Sequence, residues 1–533
     1  MTAPREGAGF PDGAGFPDGT GFPDGTGLPD GTDALEAPAA GDAEAPDRRR
    51  TDVVVVGGGV AGLVAALECA RIGLRVILLE RSEQLGGCVG RIELDGLSLD
   101  SGAESFATRN GSVAELVERL GLADAVVSPN PAGAWLVWGD GERRSAAPLP
   151  RTGMLGIPAN PLGEDVRAII GWRGAIRAYR DRLQPILRIG RARNLGELVE
   201  TRMGRAVLDR LVTPIASGVY SADPMDLDLD VVAPGLNEAM TRAGSLSGGV
   251  GELVETRRAG SAVLGIRGGM HRLVDALAAE LDRLGGAVVV GADVRALART
   301  GAGDASGWRV EASGAERDLV VDARYAILAA PAQASRALLG EAVEGWADAS
   351  DWPAAASVEL VTLVLDAPAL DAAPRGTGVL VAAGTPGVTA KALTHSSAKW
   401  PWVAEDAGGR HVVRLSYGRA GSTNPLDGRT DEQVAALALA DASSLLGVSL
   451  DASMLRASGR TPWRDALSHA AIGQRERVRE LEESLAAEPG IEATGSWLSG
   501  TGLASVVPHA RETAARIRKL AVAERVVAPR ADA

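Results

Sequence analysis

Val53-Val54-Val55-Val56-Gly57-Gly58-Gly59-Val60-Ala61-Gly62-Leu63 is the stretch from which the rest of the chain is read. A β-branched run ends in Gly-x-Gly-x-x-Gly and passes into a helical pattern from Val64 to Arg71. A second apolar run, Val76-Ile77-Leu78-Leu79, ends in Glu80, with Arg81 beside it. The spacing predicts a strand, a tight turn holding Gly58, and a helix opening at Val60 and Ala61 whose N-terminus faces a pyrophosphate. Gly57 permits the turn, Gly59 lets backbone approach the phosphates, and Gly62 lets helix and strand pack closely. Glu80 is placed to accept hydrogen bonds from a ribose hydroxyl. The competing reading is a glycine-rich turn in a nucleotide-free α/β protein. Strand, helix, second strand and terminal acid all fall in register, which favours a dinucleotide site.

A chain of 533 residues can bury a large core and form two or three domains. Its formal net charge of −14 argues against a nucleic-acid footprint and against a polybasic membrane patch. Only Cys69 and Cys88 occur, so neither a disulfide framework nor a zinc site is expected, which suits a reducing cytoplasm; Cys69 reads as an inert core thiol. The five histidines, His271, His395, His411, His469 and His509, show no metal-ligand spacing. No Ser/His/Asp or Cys/His arrangement points to covalent catalysis, and no residue is nominated as catalytic. Arg48-Arg49-Arg50 before a nearly uncharged stretch could pass for a twin-arginine signal or a membrane span. The glycine fingerprint and Glu68 inside that stretch favour a buried strand–turn–helix, so the protein is expected to be soluble.

Residues 1–50 carry Gly-Phe-Pro-Asp-Gly repeats through Phe10, Phe16, Phe22 and Leu28, followed by an Ala/Asp/Glu/Pro stretch. Such a composition buries too little surface to offset chain entropy, and a disordered tail is expected, with folding from Thr51. Beyond Glu80, residues 112–122 read as an amphipathic helix, and Trp135 to Asp140 with the following run as a hairpin. From Gly163 to Leu211 the pattern is helical and rich in arginine: Arg173, Arg177, Arg180, Arg182, Arg188, Arg191 and Arg193. These form either a solvated face or an anion-gathering wall. Pro214 to Pro224 reads as an irregular loop, and Gly268-Gly269-Met270 opens a helix from Arg272 to Leu284. Strands follow at Ala287–Val290, Val294 and Leu319–Leu328, an antiparallel alternation spans 353–418, and Thr430–Leu446 is an amphipathic helix. Near the end, the strand Ile491 to Gly495 leads through Gly500-Thr501-Gly502-Leu503 into another helix. Gly86-Gly87 and this last junction are suited to bring backbone amides against a flavin, the helix dipole stabilising charge that develops on reduction. Arg91 is available for phosphate or ring contact.

Taken together, residues 51–525 resemble the protoporphyrinogen/coproporphyrinogen oxidase family of the flavin amine-oxidase-like superfamily. Gly102-Ala103-Glu104-Ser105-Phe106 is similar to that family's Gly-Pro-(Asp/Glu/Asn)-Ser-Phe. Ser217-Gly218-Val219-Tyr220-Ser221-Ala222-Asp223-Pro224 is close to its Ser-Gly-Val-Tyr-Ala-Gly-Asp-Pro. The sequence also departs from the pattern. Trp463 and Ala466 match a flavin-proximal motif, but Ser468-His469-Ala470 stands where the family carries Pro-Gln-Tyr, and Ala134 precedes Trp135 where membrane-bound relatives place Arg. These differences resemble the soluble, Gram-positive-type branch, whose usual product is coproporphyrin III.

The resemblance implies an α/β FAD-binding domain, Rossmann-like and discontinuous (51–125, 268–340 and 455–525). It implies an α+β substrate domain with a mixed or antiparallel sheet (126–150 and 341–454) and a helical subdomain (151–267). It implies cofactor contacts from Gly57, Gly58, Gly59, Val60, Ala61, Gly62, Glu80, Arg81, Gly86, Gly87, Arg91, Gly102, Ala103, Glu104, Ser105, Val294, Trp463, Gly500, Gly502 and Leu503. A substrate cleft would include Ser217, Gly218, Val219 and Tyr220. The implied reaction removes six electrons from coproporphyrinogen III in three FAD-dependent steps, with O2 as acceptor giving H2O2, and a transient contact with ferrochelatase is implied downstream. Protoporphyrinogen IX is the alternative substrate. An amine oxidase or carotenoid desaturase sharing the flavin domain, and a non-catalytic binding protein like the Rab GDP-dissociation inhibitors, are the competing readings.

Overall fold

A strand covered on both faces must be apolar along its whole length. Val53–Val56 and Val76–Leu79 meet that condition, and both are buried throughout. The computed structural model describes residues 45–140, 143–151, 153–184, 191–257, 263–301, 307–314, 317–343, 346, 352, 357–464 and 470–527. In it these strands lie at the centre of a seven-stranded sheet. Along its main path the order is Ala287–Val289, Val76–Leu79, Asp47–Val56, Leu319–Leu328, Gly307–Ser313 and Asp293–Thr300. Ile491–Ala493 pairs in parallel with the far end of Leu319–Leu328.

The first strand begins at Asp47, four residues before the expected start. Arg48, Arg49 and Arg50 pair in register with Val320, Val321 and Asp322, so the arginine triplet belongs to the sheet. Residues 1–44 and their repeats lie outside the described residues.

The parallel registers set the site. Val56 lies opposite both Leu79 and Leu328, and Leu328 lies opposite Ala493. Four strands therefore end at one edge, where ligands of open α/β sheets bind, and the residues emerging there are Gly57, Glu80, Ala329 and Thr494. Helix Val60–Ala70 is buried along its whole length and shares one core with His271–Arg283 and Leu503–Val527, through Leu63, Val64, Leu273, Leu277, Val507 and Ala510 among others. Burial pushes the Cys69 thiol in that core up to about 12, in keeping with an inert role.

A second seven-stranded sheet runs Leu455–Trp463, Val358–Leu365, His411–Tyr417, Ala392–His395, Gly378–Val381, Ala134–Asp140 and Arg143–Pro148. It is antiparallel except where Gly378–Val381 runs parallel to Ala134–Asp140. Leu455–Trp463 is hydrogen-bonded along Val358–Leu365, so this strand belongs to the second sheet, and a boundary at 455 parts it from its partner strand. Its period-2 alternation carries no mark of which sheet it joins. Helix Asp431–Leu446 packs on this sheet and opens with a capping box, in which Thr430 and Gln433 satisfy one another's backbone amides. Thr430→Ala should cost about 1 kcal/mol in denaturant unfolding.

The helical residues from 164 to 257 form their own core around Ile169, Val199, Leu211, Leu229, Leu236 and Val250. Gly171, with φ +69°, breaks Glu164–Tyr179 into two turns of different direction. Pro214 to Val219, expected as a loop, is helical: Thr213–Val219 continues directly from Leu208–Val212. Proline is tolerated in a first turn. Gly218 is small for a packing reason, since a β-carbon there would come within 2.9 Å of Leu380 Cδ2. Among the described residues no helix is long and apolar enough to cross a membrane.

Candidate cofactor and substrate site

The glycine turn separates into positions that the fold needs and one that it leaves open. Gly57 has φ +110°, and a β-carbon on it would meet the Ala329 carbonyl at 2.7 Å; at Gly62 it would lie 1.9 Å from Gly57 O. Around Gly59 the nearest atom is Gly86 O at 4.0 Å. Gly59 caps the helix with no side chain, so the amides of Val60, Ala61 and Gly62 point out of the N-terminus past an empty face. This cradle suits a pyrophosphate.

Glu80 braces the turn. Its Oε2 accepts from Gly58 N at 2.6 Å and its Oε1 from Ser82 N and Ser82 Oγ at 2.9 and 2.7 Å. A carboxylate has further lone pairs, which keeps the expected ribose contact open. Arg81 is exposed beside it. The second glycine pair lies on the first: Gly86 N donates to Gly58 O at 2.9 Å, and Gly59 and Gly86 form a parallel bridge next to Gly87. Arg91 opens the strand Arg91–Leu94, half-exposed, 3.8 Å from Asp275. Val294 sits at a β-bulge opposite Ala312.

The loop from Asp100 to Phe106 is held from three sides. Asp100 accepts from Met270 N, His271 N and His271 Nδ1 at 3.0, 3.2 and 3.1 Å, which fastens the Gly268-Gly269-Met270 turn. Gly102 packs with no room for a β-carbon, 2.2 Å from Cys88 O, and Ala103 N donates to that same oxygen. Trp463 Nε1 donates to Ser101 O at 3.3 Å, so the end of the second sheet reaches this loop. Arg414 Nη1 donates to Asp100 O and Gly102 O at 3.1 and 2.7 Å.

Glu104 is committed to the same clamp. Its side chain is 7% exposed, lies 3.2 Å from Arg414 and 3.1 Å from Lys399, and accepts from Ser396 Oγ at 2.6 Å. Burial raises its pKa, but Arg414 and Lys399 outweigh burial and hold it down to about 2. Leu99, Thr362, Trp400, Val412 and Arg414 enclose beside it a cavity of about 20 Å³, room for one water. Ser105 is half-buried next to this cluster. Asp100, Arg414 and Lys399 were not singled out in the sequence. Nothing local marks residues about 300 positions apart as partners.

At the C-terminal junction Gly500 and Gly502 have φ of +97° and +96°, and no atom lies within 4 Å of a β-carbon built on Gly502. Leu503 then starts helix Leu503–Val527. Asn110 Nδ2 donates to Ala504 O at 2.8 Å and Arg109 Nη2 to Ser505 Oγ at 2.7 Å, and Val506 shares the core with Val60. The helices that follow the two glycine crossings thus share one core.

Ser217 is buried, whereas Gly218 and Val219 emerge, Val219 to 52%, and Tyr220 is half-buried. Leu380 of the second sheet faces them. Ser468 and His469 lie outside the described residues. The described arginines of 163–211 differ in setting, and Arg188 lies outside the described residues. Arg177 turns inward to the carbonyls of Thr201 and Arg202, Arg182 donates to Ser247 and Ala159, Arg191 pairs with Glu238, and Arg173 and Arg180 are exposed. Four histidines are similarly engaged: His271 with Asp100, His395 with His411, His411 with Asp371, and His509 with Thr494. Among the described residues no group of three or more His, Cys, Asp or Glu could hold a metal.

A family model described as flavin containing amine oxidoreductase matches residues 60–518. The coproporphyrinogen III oxidase of Propionibacterium freudenreichii subsp. freudenreichii is 28% identical over 526 residues, 92% of this chain and 95% of the relative. That of Bacillus subtilis (strain 168) is 25% identical over 476 residues, 86% and 96% of the two chains. A crystal structure from Exiguobacterium sp. 255-15, provisionally named a protoporphyrinogen oxidase, superposes with a TM-score of 0.73 at 24% identity, covering 89% of this chain and all of that one.

Proposed function

The chain belongs to the flavin containing amine oxidoreductase family, and from that premise we propose that it oxidises coproporphyrinogen III to coproporphyrin III. Its cofactor is FAD: the family is flavin-containing, and the Gly57–Gly62 turn with Glu80 is of the dinucleotide kind. The observation that carries the reading is that two glycine junctions, each open at one glycine (Gly59 and Gly502), follow strands that end at the same sheet edge. The names of relatives that align along most of the chain supply the substrate.

When bound, FAD supplies a hydride acceptor that passes electron pairs on to O2. Three pairs of hydrogens leave the macrocycle and three O2 become three H2O2, so the reaction balances without a further oxidant. The chain's own residues bind and orient. The amides of Val60 to Gly62 hold the pyrophosphate, Glu80 the ribose, and the N-terminus of Leu503–Val527 the ring end of the cofactor. Ser217–Tyr220 and Leu380 line an apolar wall for the tetrapyrrole. Growing aromatic conjugation drives the reaction, which is consistent with a site lacking an assigned acid or base. A transient contact with ferrochelatase would pass the product on.

The purified full chain should be yellow and should oxidise coproporphyrinogen III faster than protoporphyrinogen IX, read by porphyrin fluorescence. Faster turnover of protoporphyrinogen IX would reverse the substrate assignment. A protein that no flavin reconstitutes, or that releases H2O2 with amines alone, would overturn it.

A further inference from the structure

Lys391 is 2% exposed, yet among the described residues no carboxylate bonds to it. Its Nζ donates to Ser221 Oγ at 2.6 Å and to Gly418 O at 2.7 Å, and an ammonium has a third proton to place. Arg419, the next residue after Gly418, has a buried Nε with no hydrogen-bond partner among the described residues. Burial, and after it the charge of Arg419, pull Lys391 down to about 7. The acid that acts on Arg419 is Asp223, which is exposed and accepts from Met225 N at 2.9 Å. A buried ammonium held only by neutral oxygens thus feels the charge of a half-buried guanidinium, an arrangement that an anion would relieve.

The backbone here is also unusual. Ser221 is a non-glycine residue at φ +53°, fastened by Ala420 N donating to its carbonyl at 2.8 Å. Strained non-glycine backbone gathers at ligand sites. Ser221 follows directly on the exposed Gly218 and Val219 and the half-buried Tyr220, and it stands where the similar family segment has alanine, so the hydroxyl is a feature of this chain. Because Ser221 Oγ accepts from Lys391, its own proton is free to be donated elsewhere.

We infer that Lys391, Ser221 and Arg419 form a subsite that receives one carboxylate of the tetrapyrrole substrate. The inference rests on the functional reading above and adds the residues that hold the substrate's edge. The ammonium, the hydroxyl and the guanidinium offer three kinds of donor to one anion, at the end of the segment against which the macrocycle lies. Coproporphyrinogen III carries four propionates and protoporphyrinogen IX two, so the subsite also separates the two substrates if it takes a propionate that only the former has.

The test uses the flavin-loaded full chain with Lys391→Met, Arg419→Gln and Arg419→Lys. For Lys391→Met and Arg419→Gln, KM for coproporphyrinogen III should rise about tenfold or more while kcat changes far less. Arg419→Lys should recover most of the loss, and the visible flavin spectrum should not move. Binding of the product coproporphyrin III, titrated by fluorescence, should weaken in parallel. If Lys391→Met does not fold, the two Arg419 variants carry the test. A wild type that oxidises coproporphyrinogen III, with Arg419→Gln of unchanged KM and unchanged coproporphyrin affinity, overturns this inference alone. A wild type that oxidises neither porphyrinogen overturns the functional reading, and this subsite with it.

Discussion

Gly62→Ala is expected to give a colourless protein that has lost about 3 kcal/mol or more of stability, whereas Gly59→Val is expected to be colourless but close to wild type in apoprotein stability. The difference lies in what surrounds each position. A β-carbon at 62 would lie 1.9 Å from Gly57 O and 3.2 Å from Ala329 Cβ. Neither neighbour is the end of a flexible chain, so helix Val60–Ala70 would have to lift from the sheet and take the shared core with it. At 59 the backbone is extended, with φ −70° and ψ 174°, which any residue adopts, and the nearest atom is 4.0 Å away. A β-carbon there crowds no protein atom, so a larger side chain would intrude on the proposed cofactor site. Flavin absorbance per protein together with denaturant unfolding of the apoproteins reads both effects. Full flavin occupancy in Gly59→Val would remove the pyrophosphate cradle from the account.

The second large effect concerns charge. Glu104→Gln should cost about 3 kcal/mol at neutral pH, because it leaves Arg414 and Lys399 facing a neutral amide in a nearly dry cluster. The carboxyl is held at about 2 in the folded protein against an ordinary value of 4.5. A depressed folded pKa contributes stability that is fully present above 4.5 and is lost as pH falls through about 2. Wild type and variant should therefore differ most above pH 4.5 and converge toward pH 2. A constant difference across that range would mean that the glutamine fails for reasons of shape. The flavin should also bind more weakly in the variant at neutral pH, since Arg414 links Glu104 to the carbonyls of Asp100 and Gly102.

Most of the dinucleotide edge was legible from the chain. Val53–Val56 and Val76–Leu79 are apolar throughout because they are covered on both faces, Leu319–Leu328 is apolar but for Asp322 and Arg324, and the turn glycines sit where a side chain would collide with Ala329 or Gly57. Local chemistry encodes such features, so local reading finds them. Residues 214–219 misled for the converse reason: Pro214 and Gly218 look like loop punctuation, but one sits in a first turn and the other makes room for Leu380. Likewise Arg48-Arg49-Arg50 falls within the expected disordered tail, and only pairing with Val320–Asp322 makes it strand.

By itself, then, the sequence determined the fingerprint turn, the strands that carry it and the second glycine junction, because backbone freedom and hydrophobic period are properties of neighbours along the chain. Tertiary structure alone decided that Glu104 is a strut between Arg414 and Lys399, that Leu455–Trp463 joins the second sheet, and that Lys391 meets Ser221. Each of these depends on burial and on partners from 90 to 310 positions away. A charge acquires its role from the dielectric and counter-charges around it, and those exist only after the chain has folded.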